Sequence, residues 1–235
     1  MSENHNAFGQ PVGRPIEGWT ARAFPQPSRI DGRYCTLEKL DAAQHAAALY
    51  DAFSRAPDER DWTYLFPEAF THLETYTAFV RAEQEKRDPQ HYAMVDKRRG
   101  EAAGTAALMR IDPANGVIEV GHISYAPQLQ RSRAGTEAMF LLMRRVFDEL
   151  GYRRYEWKCD ALNERSRRAA ERYGFRFEGI FRQAVVYKGR NRDTAWYSII
   201  DSEWPALRIA FTAWLSADNF DANGLQKMPL AAFRD

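Results

Sequence analysis

Cysteine is scarce: Cys35 and Cys159 are the only two in 235 residues, and no CxxC spacing occurs. That excludes a disulfide-stapled scaffold and suits a reducing compartment, with both thiols expected as small buried side chains. No apolar run reaches the length that spans a bilayer. The opening MSENHNAFGQ lacks the basic start and apolar stretch of a secretory signal, so a cytoplasmic location and no membrane partner are expected. Net charge is also small, +1 from 33 basic and 32 acidic residues, which leaves no global field for nucleic acid or membrane. No GxGxxG or P-loop follows a predicted strand, which weakens dinucleotide and nucleoside-triphosphate readings. No His/Cys cluster has metal-ligand spacing, so no metal is expected.

What is present is a hydrophobic share of 45%, enough for a sizeable core in one domain with extensions. Residues 1–31, punctuated by Pro11, Gly13, Pro15, Gly18, Pro25 and Pro27, read as an arm or ordered lead-in. Residues 32–201 carry the strand and helix signals of the main domain, and residues 202–235 a C-terminal helix and tail. A strand at 34–40 is followed by a helix that Asp41 caps, running through Leu49 and Phe53, and by a second helix near 71–86. Strands follow at 91–96, 102–111 and 117–125, the last two joined as an antiparallel hairpin by Asp112-Pro-Ala-Asn-Gly116. Ala138, Leu142, Val146 and Leu150 recur at helical spacing, with Gly151 as a left-handed cap. A strand at 155–159, a helix from its cap Asn163 to Arg172, strands at 175–187 and 194–201, and a helix over 204–220 complete the chain. The order predicts an α/β fold with a mixed, largely antiparallel central sheet flanked by helices.

Two units carry chemistry. The strand at 117–125 leads through Gln128-Leu-Gln-Arg-Ser-Arg-Ala-Gly-Thr136 into a helix. Unpaired N–H groups and the helix dipole there form an anion site, with Arg131 and Arg133 beside it, and a pyrophosphate is the natural guest. Many loops before helices hold an arginine, so this signal alone is weak. The second unit runs from Asn163-Glu-Arg-Ser166 to Tyr173-Gly-Phe175 and Glu178-Gly179. A capped helix entering a strand explains its residues, but not why the two units occur in this order with one strand between them. The arginine-rich stretch from Arg153 to Arg192 would suit an anionic ligand, or would simply be a solvated face.

From about Arg33 to Ile200 the chain resembles the GNAT superfamily of N-acetyltransferases, and within it the RimJ/RimL-like branch that acetylates ribosomal-protein N-termini. The family's pyrophosphate loop, Gln/Arg-x-x-Gly-x-Gly/Ala, falls on Gln130, Arg131, Ser132, Arg133, Ala134 and Gly135, followed by Thr136-Glu137-Ala138. The branch's Asn-x-x-Ser…Gly-Phe-x-x-Glu-Gly pattern falls on Asn163, Ser166, Gly174, Phe175, Glu178 and Gly179, and Glu119-Val-Gly121 precedes the loop. The resemblance implies a GNAT-like fold, acetyl-CoA as co-substrate, and direct acetyl transfer to a primary amine, either a protein N-terminus or a small amine. It implies that residues Gln130 to Thr136 hold the pyrophosphate. It implies further that the backbone of His122, Ile123, Ser124 and Tyr125 meets the pantetheine arm, and that Asn163 lies near the coenzyme. Arg133 stands where the family usually has glycine. A side chain there obstructs the backbone's approach to phosphate, points away, or binds phosphate itself.

Acid and base are harder to place. The family's usual tyrosine acid, four residues before Gly174, is Ala170 here, and the branch's glutamate seven residues past Glu178 is Val185. Ser166 matches the serine that the resemblance assigns to the leaving thiol, and would equally serve the helix start. Glu119 is placed ahead of His122 as base, beside a water-relayed proton with no dedicated base. Glu119 would otherwise be a paired carboxylate, and His122 a hydrogen-bonded pocket histidine that titrates in the useful range. Three residues apart on a strand, the two face opposite sides unless a bulge intervenes. Trp62, Tyr64, Phe66, Tyr187 and Trp196 are candidates for the acceptor cleft or for packing, and Asp193 for orienting the acceptor or its turn.

Two other readings compete. One is a coenzyme-binding fold without catalysis, acting as sensor or interaction module, motivated by Arg133 and the missing acid and base. The other is RNA binding through Arg153–Arg192, against which stand the near-neutral charge and the lack of a recognition motif. A homodimer through the C-terminal helix is left open.

Overall fold

The computed structural model describes residues 4–234; the first three residues of the arm and Asp235 of the tail lie outside it. The arm opens as a small ribbon, β1 (Asn4–His5) against β2 (Pro11–Val12). It then lies extended along the domain. Trp19 Nε1 donates to Ala114 O at 2.9 Å, Arg22 N to Pro113 O at 2.9 Å, and Gln90 Nε2 to Pro25 O at 2.7 Å. Its last residues enter the main sheet as β3 (Ile30–Asp31), paired with β4 (Cys35–Lys39).

There follow α1 (Ala42–Ser54), α2 (Leu73–Gln84), β5 (Gln90–Asp96), β6 (Glu101–Asp112) and β7 (Val117–Tyr125). Asp41 caps α1 by accepting from Gln44 N at 2.9 Å, as its sequence position predicts. Next come α3 (Arg133–Arg144), which runs on as a π-helical turn over Arg145–Glu149, then β8 (Arg154–Asp160) and α4 (Glu164–Tyr173). The chain closes with β9 (Arg176–Tyr187), β10 (Arg190–Ile200) and α5 (Trp204–Trp214).

The eight-stranded sheet has the order β3-β4-β5-β6-β7-β8-β10-β9. Every neighbouring pair is antiparallel except β7–β8. The predicted mixed, largely antiparallel α/β architecture is therefore what forms. On one face α3 and α5 pack into the main core, where Ile118, Val120, Leu142, Tyr155 and Phe211 are buried. On the other, Leu49, Tyr76 and Val80 of α1 and α2 pack on Ala93 and Ala102. Among the described residues no helix is long and apolar enough to cross a membrane. Both cysteines are free and buried.

Two boundaries differ from the sequence reading. β10 begins at Arg190, not Thr194, because Lys188 (φ 50°) and Gly189 (φ 66°) alone make the turn. Two left-handed residues match the twist of a tight hairpin. The last helix stops at Trp214 and does not reach Phe220. Buried Asn219 takes over there, donating to Trp214 O at 3.1 Å and accepting from Met228 N at 2.9 Å.

A buried carboxylate ties the two halves of the core. Glu137, in the first turns of α3, accepts from the backbone N–H groups of Arg33, Tyr34 and Cys35 at 2.8, 2.6 and 2.8 Å. A Cβ on Gly32 would come within 2.5 Å of that carboxylate, so the approach needs glycine. Removing the carboxylate orphans three donors. Glu137→Ala is expected to lower the stability by about 3 kcal/mol in urea unfolding, and Glu137→Gln by less.

Candidate functional site

The site begins where two strands part. β7 and β8 pair in parallel from Val117 with Arg154 to Val120 with Trp157, and the ladder ends there. β8 stays with β10 as far as Asp160, while β7 stays with β6 as far as Tyr125. Beyond Val120 the edge of β7 that faced β8 pairs with no strand among the described residues. A bulge marks this point: His122 and Ile123 together oppose Ala106 on β6, and His122 sits at φ 49°. The bulge meets the condition that the spacing of Glu119 and His122 sets, and both line one cleft of about 1530 Å³.

At one end of the cleft lies the loop before α3. Ser132 caps the helix, its Oγ accepting from Gly135 N at 2.9 Å and donating to Leu129 O at 2.7 Å. The first intrahelical bond runs from Thr136 N to Ser132 O, so the amides of Arg133 and Ala134 lie ahead of it. Arg131 is exposed beside them at φ 56°. Gly135 is needed for close packing: a Cβ would lie 2.7 Å from Leu129 O and 2.9 Å from Tyr125 Cε2. The Tyr125 hydroxyl donates to Gly135 O at 2.7 Å. The Arg133 guanidinium lies 4.3 Å over the Tyr34 ring and 4.0 Å over the Phe220 ring, so its side chain is turned to those rings.

Other residues singled out in the sequence hold protein partners. The Gln130 amide donates to Asp61 and to Tyr125 O and accepts from Arg165, a bridge that fastens the loop. Asn163 caps α4 by accepting from Ser166 N at 3.1 Å. The Ser166 Oγ accepts from the Trp157 indole at 3.0 Å, facing the cleft where β8 leaves β7. Ile123, Ser124 and Thr136 also line the cleft, and Ala134 is buried in the first turn of α3. Thr136 accepts from Arg172 at 3.3 Å. Arg172, Trp214 and Phe220 join this end unforeseen. For Arg172 a signal existed, since Arg165, Arg168 and Arg172 fall on one stripe of α4.

The opposite end is aromatic. Phe66 is 52% exposed and stands 6.4 Å from the His122 ring and 5.8 Å from the Tyr187 ring. Trp62 packs edge-on against Phe53 and Phe70, and Tyr64 reaches Leu162 O at 3.3 Å. Tyr187 is buried and donates to Asp160 at 2.9 Å. Trp196 stacks on Phe181 at 4.4 Å, with Lys158 Nζ 3.9 Å over its ring. Asp193 accepts from Gln183 N at 2.7 Å, where Gln183 sits at φ 51°, so its carboxylate pins an irregularity of β9.

The two base candidates meet opposite electrostatics. Buried Glu119 lies 2.8 Å from Lys158 Nζ and 3.3 Å from Arg110 Nε. Burial raises its carboxyl above the ordinary range, opposed by the Lys158 ammonium. Lys158 also lies 2.7 Å from Glu156, so Glu119 belongs to an ion network. His122 has no such cation bound to it, and burial lowers its imidazole below the ordinary value. Behind it stands His91, lowered to about 4 by burial and then by His122. Glu83 Oε2 lies 2.9 Å from His91 Nε2, and Glu83 Oε1 lies 2.6 Å from Lys86 Nζ.

Glu83, His91 and His122 bring three donor atoms within 4.8 Å of one another, a convergence of α2, β5 and β7 that linear spacing hides. The donor types suit a transition metal, but Lys86 already neutralises the one carboxylate. Two ligands of one zinc ion stand about 3.3 Å apart, wider than the Glu83–His91 contact.

With this geometry in place, the comparisons with known proteins are specific. The family described as "Acetyltransferase (GNAT) domain" matches residues 35–176, more than half of the chain. A structure of a GCN5-related N-acetyltransferase from Brucella melitensis is 51% identical, with a TM-score of 0.92 over 94% of this chain and 100% of that one. A structure from Chromobacterium violaceum, called "probable acetyltransferases (GNAT family)", is 38% identical, with a TM-score of 0.77 over 83% of this chain and 98% of that one. The Bacillus subtilis protein "Putative ribosomal N-acetyltransferase YdaF" is 30% identical over 105 residues, which span 45% of this chain and 57% of that relative.

The ion network yields a prediction. Glu119→Gln leaves the buried Lys158 with Glu156 alone, and is expected to lower stability by about 3 kcal/mol. Thermal unfolding at neutral pH measures it.

Proposed function

The chain belongs to the GNAT acetyltransferases, and on that premise we propose that it moves the acetyl group of acetyl-CoA directly onto a primary amine. The observation that carries this reading is the parting of β7 from β8 next to the N-terminus of α3, within one continuous cleft. The pyrophosphate goes to the amides of Arg133 and Ala134 and to the Arg131 guanidinium. The amide-bearing arm of the coenzyme goes to the free edge of β7, along Ile123, Ser124 and Tyr125. That edge also offers N–H groups to the thioester carbonyl as negative charge develops on its oxygen. Ser166, at the mouth of α4, donates to the leaving sulfur. Placing both substrates in one cleft supplies much of the rate.

His122 is the base of this reading and Glu119 is not. A carboxylate paired with Lys158 and Arg110 would lose both ion pairs on taking a proton, whereas the His122 imidazole, which burial keeps neutral, has no ion pair to give up. The amine gives its proton to His122, its nitrogen bonds to the thioester carbon, and the carbon–sulfur bond breaks to release the thiolate. The grounds for a catalytically silent module were Arg133 and the missing acid and base. Arg133 is engaged with two rings, and His122 supplies a base from another position. Peptide N-termini are the first acceptors to try, because the YdaF relative is named for ribosomal acetylation; a small amine is the other class.

Calorimetric titration with acetyl-CoA is expected to show micromolar binding that Gly135→Trp abolishes. No binding by the unaltered chain would overturn the reading. His122→Asn is expected to lower kcat by about 10²–10³-fold with little change in the acetyl-CoA KM. The pH profile has a definite sign. The base works when neutral, and burial lowers its pKa, so kcat/KM should fall as pH drops through a value below about 6.5. That acidic limb should be absent from the residual activity of His122→Asn.

A further inference from the structure

Glu83 occupies a place in the sequence pattern where an apolar side chain belongs. Tyr76, Val80 and Glu83 form the buried stripe of α2, so the stripe ends in a carboxylate that lines the cleft. Glu83 is 8% exposed and His91 is 7% exposed. Their atoms Oε2 and Nε2 approach to 2.9 Å, yet neither makes a well-aligned hydrogen bond. Buried polar atoms left so are costly, a poor return for a purely structural pair. Both residues face His122, whose ring centre lies 5.1 Å from that of His91.

Resting on the reading of His122 as the base, we infer that Glu83, Lys86 and His91 set its basicity. When the amine gives up its proton, His122 becomes an imidazolium in a cleft that disfavours charge. Glu83 is the nearby carboxylate that stabilises this cation, while Lys86 and Arg110 oppose it. His91, kept neutral, fills the space between Glu83 and His122. The other charged groups around the base are accounted for: Glu119 is held by Lys158, and Arg192 lies 5.8 Å over the Phe66 ring that borders His122. Glu83, Lys86 and His91 thus act through His122 as positioning residues. The proton moves from the amine nitrogen to a His122 ring nitrogen and then to solvent, and no other reactant is required.

The test is a pair of variants one turn apart on the same stretch of chain. Glu83→Gln removes the stabilising charge, so the acidic limb of kcat/KM should move to lower pH by about half a unit to one unit. Lys86→Met removes the opposing charge, so the limb should move to higher pH by a similar amount. A merely structural role does not give shifts of opposite sign. Shifts of the same sign, or none, would overturn the inference. NMR titration of the His122 ring in the same variants needs no turnover and should show the same two directions. A chain that transfers no acetyl group would therefore fail the functional reading while the NMR arm still decides this one. Binding of one equivalent of zinc at micromolar concentration, lost in His91→Asn, would also overturn it by making the cluster a metal centre.

Discussion

The pairing of β7 with β8 lasts from Val117 to Val120 and then stops, and the rest of the site depends on that stop. It is the single parallel junction in the described sheet, and it joins a strand interrupted by a bulge to one that keeps its register. Four residues of pairing are enough to set both strands in the core through Ile118, Val120, Tyr155 and Trp157. Past them the backbone of β7 keeps its hydrogen bonds to β6 and offers its other edge to the cleft. A polar edge exposed in a concave site is a recognition surface, since each unmade hydrogen bond there is available to a ligand that carries amides of its own.

The same bulge determines which side chains do what. Without it, Glu119 and His122 would face opposite sides of the sheet. With it, both turn toward the cleft, and their neighbours separate their roles. Glu119 stands opposite Glu156 of β8, and Lys158 serves both carboxylates, so its environment is ionic and closed. His122 projects past the end of that ladder, between the Phe66 ring and the His91–Glu83 pair. One strand thus carries an ion-paired acid and an imidazole with no cation in direct contact, three residues apart.

Much of the fold was legible in the sequence because periodicity and punctuation agreed. Asp41, Asn163 and Gly174 cap helices where they were expected, and Asp112 to Gly116 turns the hairpin. The end of α5 was not legible. Its apolar spacing continues past Trp214, and the break comes from Asn219 bonding to backbone that only the folded chain brings near. The end of the site at the start of α3 could be read from local motifs, since loop, cap and helix are contiguous. The opposite end could not, because Glu83, His91 and His122 lie on three elements and meet only through tertiary packing. The ring pair that receives Arg133 was hidden for the same reason, with Tyr34 and Phe220 at opposite ends of the chain.

That ring pair also shows how the C-terminal segment is joined to the site. The family match ends at residue 176, yet Trp214, Phe220, Gly224, Leu225 and Gln226 all line the cleft beside the start of α3. Trp214 donates to Gln226 at 3.0 Å, Arg172 lies 5.2 Å over the Trp214 ring, and the Arg234 guanidinium donates to the carbonyls of Glu171 and Arg172 at the end of α4. Arg133 and Arg172 therefore each carry two tasks, a positive charge beside the loop and an aromatic contact that fixes the tail. A glycine at position 133 would leave the loop's backbone more open but would remove the contact to the Phe220 ring. Phe220, Gly224, Leu225 and Gln226 thus border the start of α3, although none of them belongs to the strand–loop–helix unit from which the site is built.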